Sequence, residues 1–379
     1  MNIIHTYSYK LRKIFNNKIH SGASFDDYLI RPGFAELTPN ETSIEAALWN
    51  NYGTDLSLQL PIFSAAMDTI SESAMGVAMS ESGGIAVIHK NLTPEKQAAE
   101  VKIVKDAGGI VAAAVGVKAS EMERAEKLIV AGADVLVIDS SHGHSKNVGN
   151  MVKELRRAYP GLFLVAGNVA TGEGALYLED CGASAVKVGI GPGSICTTRV
   201  VSGCGVPQLY AIYDVSLALN KRVPIIADGG IKESGDMVKA LAVGADAVMI
   251  GNMLSGTDET PGEVKIDANK RPYKEYRGMG SIAAMKRGSK DRYFQDNVND
   301  DKKFVPEGIE SVVPCKGSAK DLLYKMGGGL RVGLGLSGSE NISELKKRKI
   351  YKITKASVVE SRPHSVQEKV QQEQNQHSH

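Results

Sequence analysis

Four cysteines are all that 379 residues contain, and none of them stands at metal-ligand or disulfide-framework spacing. A secreted cysteine scaffold is therefore not expected, and reduced thiols in the cytoplasm are. Long apolar runs are missing too, since no stretch approaches the roughly 18 residues a membrane helix requires, and no membrane partner is expected. Charge of one sign is also lacking. With 45 Lys and Arg against 43 Asp and Glu, the formal charge is +2, which gives no electrostatic case for nucleic acid or an anionic membrane. The N-terminal extension, residues 1–23, includes Lys10, Arg12, Lys13 and Lys18. It has no apolar h-region and no small-residue cleavage site, so secretion is not expected.

What the chain does contain is alternation. Short apolar runs at 60–65, 85–88, 111–117, 135–138, 163–166, 185–188, 223–227 and 247–250 are separated by segments with helical periodicity, among them 121–131, 146–158, 172–180 and 233–243. Strands that alternate with helices pair in parallel, and eight repeats point to an α/β fold closed as a (β/α)8 TIM barrel. An open doubly wound sheet is the alternative. Closure is favoured because Asp68, His89, Asp139, Asn168, Gly189, Asp228 and Gly251 end successive runs, and a barrel gathers such positions on one face. A long insertion at about 254–313 follows the last run, rich in Gly, Lys, Arg and Asp, and part of it is expected to be mobile. The polar tail, 366–379, is expected to be disordered.

The segment from Gly189 to Arg199 places Cys196 on a glycine-rich loop directly after the sixth run. Glycines permit φ > 0 and close approach to a ligand, and successive N–H groups in such a loop cradle anions and lower a thiol pKa. Cys196 thus reads either as a nucleophile or as an inert small hydrophobe, the role that Cys181 and Cys315 fit. Gly229 and Gly230 follow the seventh run, and Gly251 and Asn252 follow the eighth, the two places where barrels hold phosphate. With Gly193 and Ser194 they make a candidate phosphate cup, tight-turn packing being the alternative. Asp228 suits ribose hydroxyls or a helix N-cap. Asp139, Ser140, Ser141 and His142 close the fourth run and offer groups for a second ligand. His142 and His144 read as solvated loop histidines rather than metal ligands.

These motifs resemble the inosine 5′-monophosphate (IMP) dehydrogenase family over residues 24–365. The likeness is carried by Ser24-Phe25-Asp26-Asp27, Ser64-Ala65-Ala66-Met67-Asp68, 84–91, 167–171, the Cys196 loop, 228–231, 276–281, 289–294 and Glu307-Gly308. The resemblance implies oxidation of IMP to xanthosine 5′-monophosphate (XMP) with NAD+, within guanine nucleotide biosynthesis. Cys196 would attack C2 of the purine, and a flap carrying Arg292 and Tyr293, with Thr198, would serve hydrolysis of the resulting thioimidate. It further implies phosphate contacts at Ser194, Gly230, Gly251, Asn252 and Tyr276, and ribose contact at Asp228 beside Gly229. Ser64, Met67, Asn168, Gly278, Met279, Gly280 and Glu307 complete the substrate site, and Asp139, Ser140, Ser141 and Gly189 receive NAD+. A monovalent cation, usually K+, is implied at the carbonyls of Gly191, Gly193 and Cys196, together with Glu360, Ser361 and Arg362 of a neighbouring subunit in a homotetramer. Asn252 stands where serine is usual, and Arg362 where histidine is usual.

One departure is large. Most relatives insert paired CBS modules between the second helix and third strand, whereas here residues 106–110 lead straight into Val111. Catalysis without nucleotide regulation is expected. GMP reductase shares the barrel, cysteine loop and purine site, and differs in deaminating GMP with NADPH without a hydrolytic Arg-Tyr pair. A silent nucleotide-binding barrel is the reading from another class.

Overall fold

The computed structural model describes residues 21–366 apart from Asn51, Asp296 and Asn299, so the expectations for residues 1–20 and 367–379 lie outside the described residues. Eight parallel strands close on themselves: β1 (Ile62–Ser64), β2 (Ile85–Ile88), β3 (Val111–Val115), β4 (Val135–Asp139), β5 (Phe163–Val169), β6 (Ala185–Val188), β7 (Ile225–Asp228) and β8 (Ala247–Ile250). Closure is direct, with Val248, Met249 and Ile250 of β8 opposite Ile62, Phe63 and Ser64 of β1. Every strand residue is buried except Asp228. Strands covered on both faces read in sequence as unbroken apolar runs rather than alternating ones, which is why all eight were visible there.

A helix follows each strand: α1 (Ser73–Glu81), α2 (Pro94–Asp106), α3 (Glu121–Val130), α4 (Lys146–Ala158), α5 (Gly172–Asp180), α6 (Gln208–Leu219), α7 (Ser234–Ala242) and α8 (Ala319–Ser337). Local chemistry sets their starts. Thr93 accepts the Lys96 N–H at 3.3 Å ahead of Pro94, and Thr171 accepts the Gly174 N–H at 3.2 Å, each satisfying a donor that the first turn leaves unpaired. The helices press apolar faces onto the barrel wall, and one continuous cluster of buried residues runs from Phe63 and Ile88 through Leu136 to Leu330. Each fully buried large side chain there contributes about 1.5–3 kcal/mol. Among the described residues no helix is long and apolar enough to cross a membrane.

The connection between α2 and β3 is a tight turn. Gly108 adopts φ +77° with open space where a side chain would project, and the Gly109 N–H returns to the Val104 carbonyl at 3.0 Å. The chain thus crosses from helix to strand with no intervening module.

The insertion after β8 contains a sheet that its composition did not announce. Strands Lys265–Ile266, Pro272–Arg277 and Glu310–Pro314 form an antiparallel sheet, with Tyr273 opposite Pro314 and Arg277 opposite Glu310. A buried ion pair fixes that sheet to the loop after β1: Arg277 Nε and Nη2 donate to the Asp68 carboxylate at 3.0–3.2 Å. Lys274, also buried, donates to the carbonyls of Thr257, Asp258 and Thr260 at 2.8–3.1 Å. The base of the insertion is therefore rigidly mounted on the barrel mouth.

Candidate active site

The C-terminal strand ends open into a cavity of about 380 Å³. Its floor is shaped by two close approaches. A Cβ on Gly189 would fall 2.0 Å from the Asp228 carbonyl oxygen, and one on Gly229, at φ +92°, would fall 2.9 Å from Pro192 Cγ. Only glycine lets the loop after β6 lie against the loop after β7. The cysteine loop is clamped from above as well, because the Thr197 N–H donates to the Glu307 carbonyl at 2.9 Å and the Ile309 N–H to the Ile195 carbonyl at 3.1 Å. The Cys196 thiol, half-buried at the cavity wall, lies 3.1 Å from the Thr198 hydroxyl. Cys181 differs: it is packed behind α5, and burial pushes its thiol pKa up, the state of an unreactive thiol.

The glycine pairs converge. Gly193 and Ser194, Gly229 and Gly230, and Gly251 and Asn252 all line this one cavity, with Tyr276 among them. Burial pushes the Tyr276 phenol up to about 12, against the opposing effect of its hydrogen bond with Ser194, so the phenol stays protonated and can donate. Asp228 caps no helix, since α7 begins only at Ser234. Its carboxylate instead accepts from Lys187 Nζ at 2.8 Å and Asn168 Nδ2 at 2.8 Å.

Lys187 escaped the sequence reading. It sits inside the apolar run of β6, fully buried, and its ammonium reaches Asp139 at 3.2 Å, Asp228 at 2.8 Å and the Asn168 amide oxygen. One cation thereby holds two carboxylates at fixed positions across the barrel mouth. A charged residue flanked by Val186 and Val188 was the available signal. Replacing it by Met leaves the buried Asp139 and the partly buried Asp228 without their shared partner, and urea unfolding is expected to show Lys187→Met destabilised by about 3–5 kcal/mol.

Met67, Asn168, Gly278, Met279, Gly280 and Glu307 also line the cavity, as do Asp139, Ser141, Gly189, Gly191 and Gly193. Two expected contacts stand off it. Ser64 is fully buried with its hydroxyl 2.6 Å from that of Ser71, and Ser140 is buried with its N–H on the Gly167 carbonyl at 3.2 Å. Glu360, Ser361 and Arg362, expected to act at a neighbouring subunit's loop, lie at the end of the Lys355–Glu360 helix and do not line this chain's cavity, and Arg362 lies 3.7 Å from Asp26, which does.

Arg292 and Tyr293 project into the same space from the 3₁₀ turn Ser289–Tyr293. The Arg292 guanidinium forms an ion pair with Asp139, and its carbonyl accepts from the Ser141 hydroxyl at 2.8 Å and N–H at 3.2 Å. Its Nε, buried, has no partner among the described residues. Burial raises the Tyr293 phenol pKa, and the neighbouring Arg292 charge counters this. A thiol, a guanidinium and a phenol thus meet beside the three glycine-bearing loops.

The fold is a closed parallel (β/α)8 barrel whose mouth carries a thiol on a glycine-rich loop, with Arg292 and Tyr293 of the insertion beside it. The chain belongs to the IMP dehydrogenase / GMP reductase family, whose domain matches residues 22–364. It is 44% identical to an inosine-5′-monophosphate dehydrogenase of Borreliella burgdorferi over 403 residues, covering 92% of this chain and 98% of that protein. The enzyme of the same name from Cryptosporidium parvum is 43% identical over 394 residues, with 92% and 96% covered. That of Streptococcus pyogenes is 38% identical over 479 residues, again 92% and 96%.

Proposed function

We propose that the protein oxidises IMP to XMP with NAD+ and water, releasing NADH and a proton. The observation that carries this reading is the placement of Cys196, Thr198, Arg292 and Tyr293 around one cavity that is also lined by Gly193-Ser194, Gly229-Gly230 and Gly251-Asn252. The phosphate of IMP is held by N–H groups at Ser194, Gly230 and Gly251 and by the Tyr276 phenol, with Asn252 beside them. Asp228, fixed by Lys187 and Asn168, takes the ribose hydroxyls. Gly278, Met279, Gly280 and Glu307 face the base, with Met67 against the ring.

So anchored, the purine presents C2 to the Cys196 thiolate, which adds to it. NAD+, when bound, would supply the hydride acceptor for C2. Asp139 and Ser141 are the polar groups available to that cofactor beside Gly189, and the flap holds both, so cofactor and flap alternate. After the cofactor leaves, Arg292 and Tyr293 orient and deprotonate water with help from Thr198, and hydrolysis frees XMP and the thiol. An Arg is an unusual base, its pKa normally exceeding about 12. The buried Nε, with its hydrogen aimed at no acceptor, supports a role toward water or substrate.

Carbonyls suit a weakly hydrated monovalent ion better than Mg2+. No hydrogen bond from a described residue reaches those of Gly191 and Cys196, which fits K+ bound there to steady the cysteine loop. Val200 and Val201, exposed on the Thr198–Ser202 helix, fit a neighbouring subunit of a homotetramer at this loop. The direct test supplies IMP with NAD+ and, separately, GMP with NADPH. Appearance of reduced cofactor in the first mixture is expected. Consumption of NADPH in the second, with nothing in the first, would replace this reading by a reductive deamination.

A further inference from the structure

Lys90 lies just beyond β2, at the barrel mouth, and its ammonium meets Asp291 of the flap at 2.5 Å with both side chains buried, 5% and 7% exposed. Asp291 immediately precedes the Arg292 and Tyr293 pair. The same carboxylate oxygen accepts the Arg292 N–H at 2.8 Å. The other oxygen packs so closely on Gly116, at the end of β3, that a Cβ there would lie 2.8 Å from it. Glu121, the other carboxylate near Gly116, is engaged by the Gly116 N–H and by Arg124. The barrel therefore offers Asp291 a seat with one cation and a gap shaped for its carboxylate.

We propose that the buried Lys90–Asp291 ion pair is the latch that holds Arg292 and Tyr293 in the cavity, which makes Lys90 a positioning residue for hydrolysis. The inference rests on the reaction proposed above. The other charged attachment of this turn, Arg292 to Asp139, uses a carboxylate that the cofactor also needs, so it cannot bias the flap independently of cofactor binding. Lys90 and Asp291 contact neither the thiol nor Asp139, and they weight only the closed position. Breaking a buried pair by removing one partner is costly, unlike breaking an exposed one. A ligand that needs the open state loses apparent affinity by the fraction of time the flap is closed. Weakening the latch must then slow hydrolysis and tighten cofactor binding to the covalent adduct together, two effects of opposite sign from one change.

The test uses the full chain with Asp291→Asn, isosteric and on the flap, Lys90→Met on the barrel, and the double variant. Rapid-mixing traces with IMP and NAD+ are expected to keep the rate of the NADH burst, slow the following steady state about tenfold and strengthen inhibition by excess NAD+. Without any nucleotide, trypsin is expected to cut after Lys290 and Arg292 faster in each variant than in the parent, and the double variant should match the singles. A burst-to-steady-state ratio and a tryptic rate both unchanged in Asp291→Asn would overturn the latch, as would additive effects in the double variant. Absence of NADH from the parent would instead overturn the proposed reaction. The tryptic comparison then decides the latch alone.

Discussion

Cys196→Ala is expected to abolish NADH formation, with a loss of about 10⁴-fold or more, the scale seen when a covalent nucleophile is removed. The size follows from the geometry. No other described thiol lines the cavity, Cys181 being packed behind α5. IMP binding is expected to change little, because the phosphate cup, Tyr276 and Asp228 are all formed by other residues and the alanine removes a single atom from the wall. Calorimetric titration with IMP separates these effects from misfolding. Continued NADH production by the variant would remove the covalent step from the scheme, and with it the reason for the flap to carry water chemistry.

Arg292→Ala is expected to act on one half of the reaction. In the proposed scheme hydride transfer takes place with the flap withdrawn, since Arg292 occupies Asp139 and Ser141, the groups assigned there to the cofactor. The burst of NADH should therefore persist at near its original rate. Hydrolysis loses its general base and should fall by about 10²–10⁴-fold, the usual range for a positioned proton acceptor. The XMP adduct then accumulates on Cys196, and mass spectrometry of intact protein quenched after the burst should show it. A burst that falls in proportion to turnover would place Arg292 in the first step instead.

The barrel was legible because parallel strands buried on both faces leave a plain mark, and the glycine loops were legible because close approaches such as Gly189 on Asp228 admit no other residue. What stayed hidden depends on distance along the chain. Lys90 and Asp291 are 201 residues apart, and Arg277 and Asp68 are 209 apart; nothing in the neighbourhood of either member announces its partner. Lys187 was obscured for another reason, since a single lysine amid Ala185, Val186 and Val188 reads as a strand edge until the carboxylates above it are in place. The antiparallel sheet of the insertion was missed because its strands, with Lys265, Lys274 and Glu275, carry polar residues that composition assigns to loops. Ser64 was assigned to the substrate by resemblance alone, and the residues around it gave no sign that its hydroxyl lies 2.6 Å from that of Ser71.

The turn joining α2 to β3 has one more implication. Its helix and strand ends lie close together on the outer rim, a side chain at position 108 would meet nothing within 4 Å, and the cavity mouth is built from the strands' opposite ends. Such a place works as a socket: a foreign domain whose own termini are near each other can be spliced in without altering strand register. A module joined at that turn is expected to leave the loops carrying Cys196 and Asp228 unaltered, because they lie at the opposite ends of the strands.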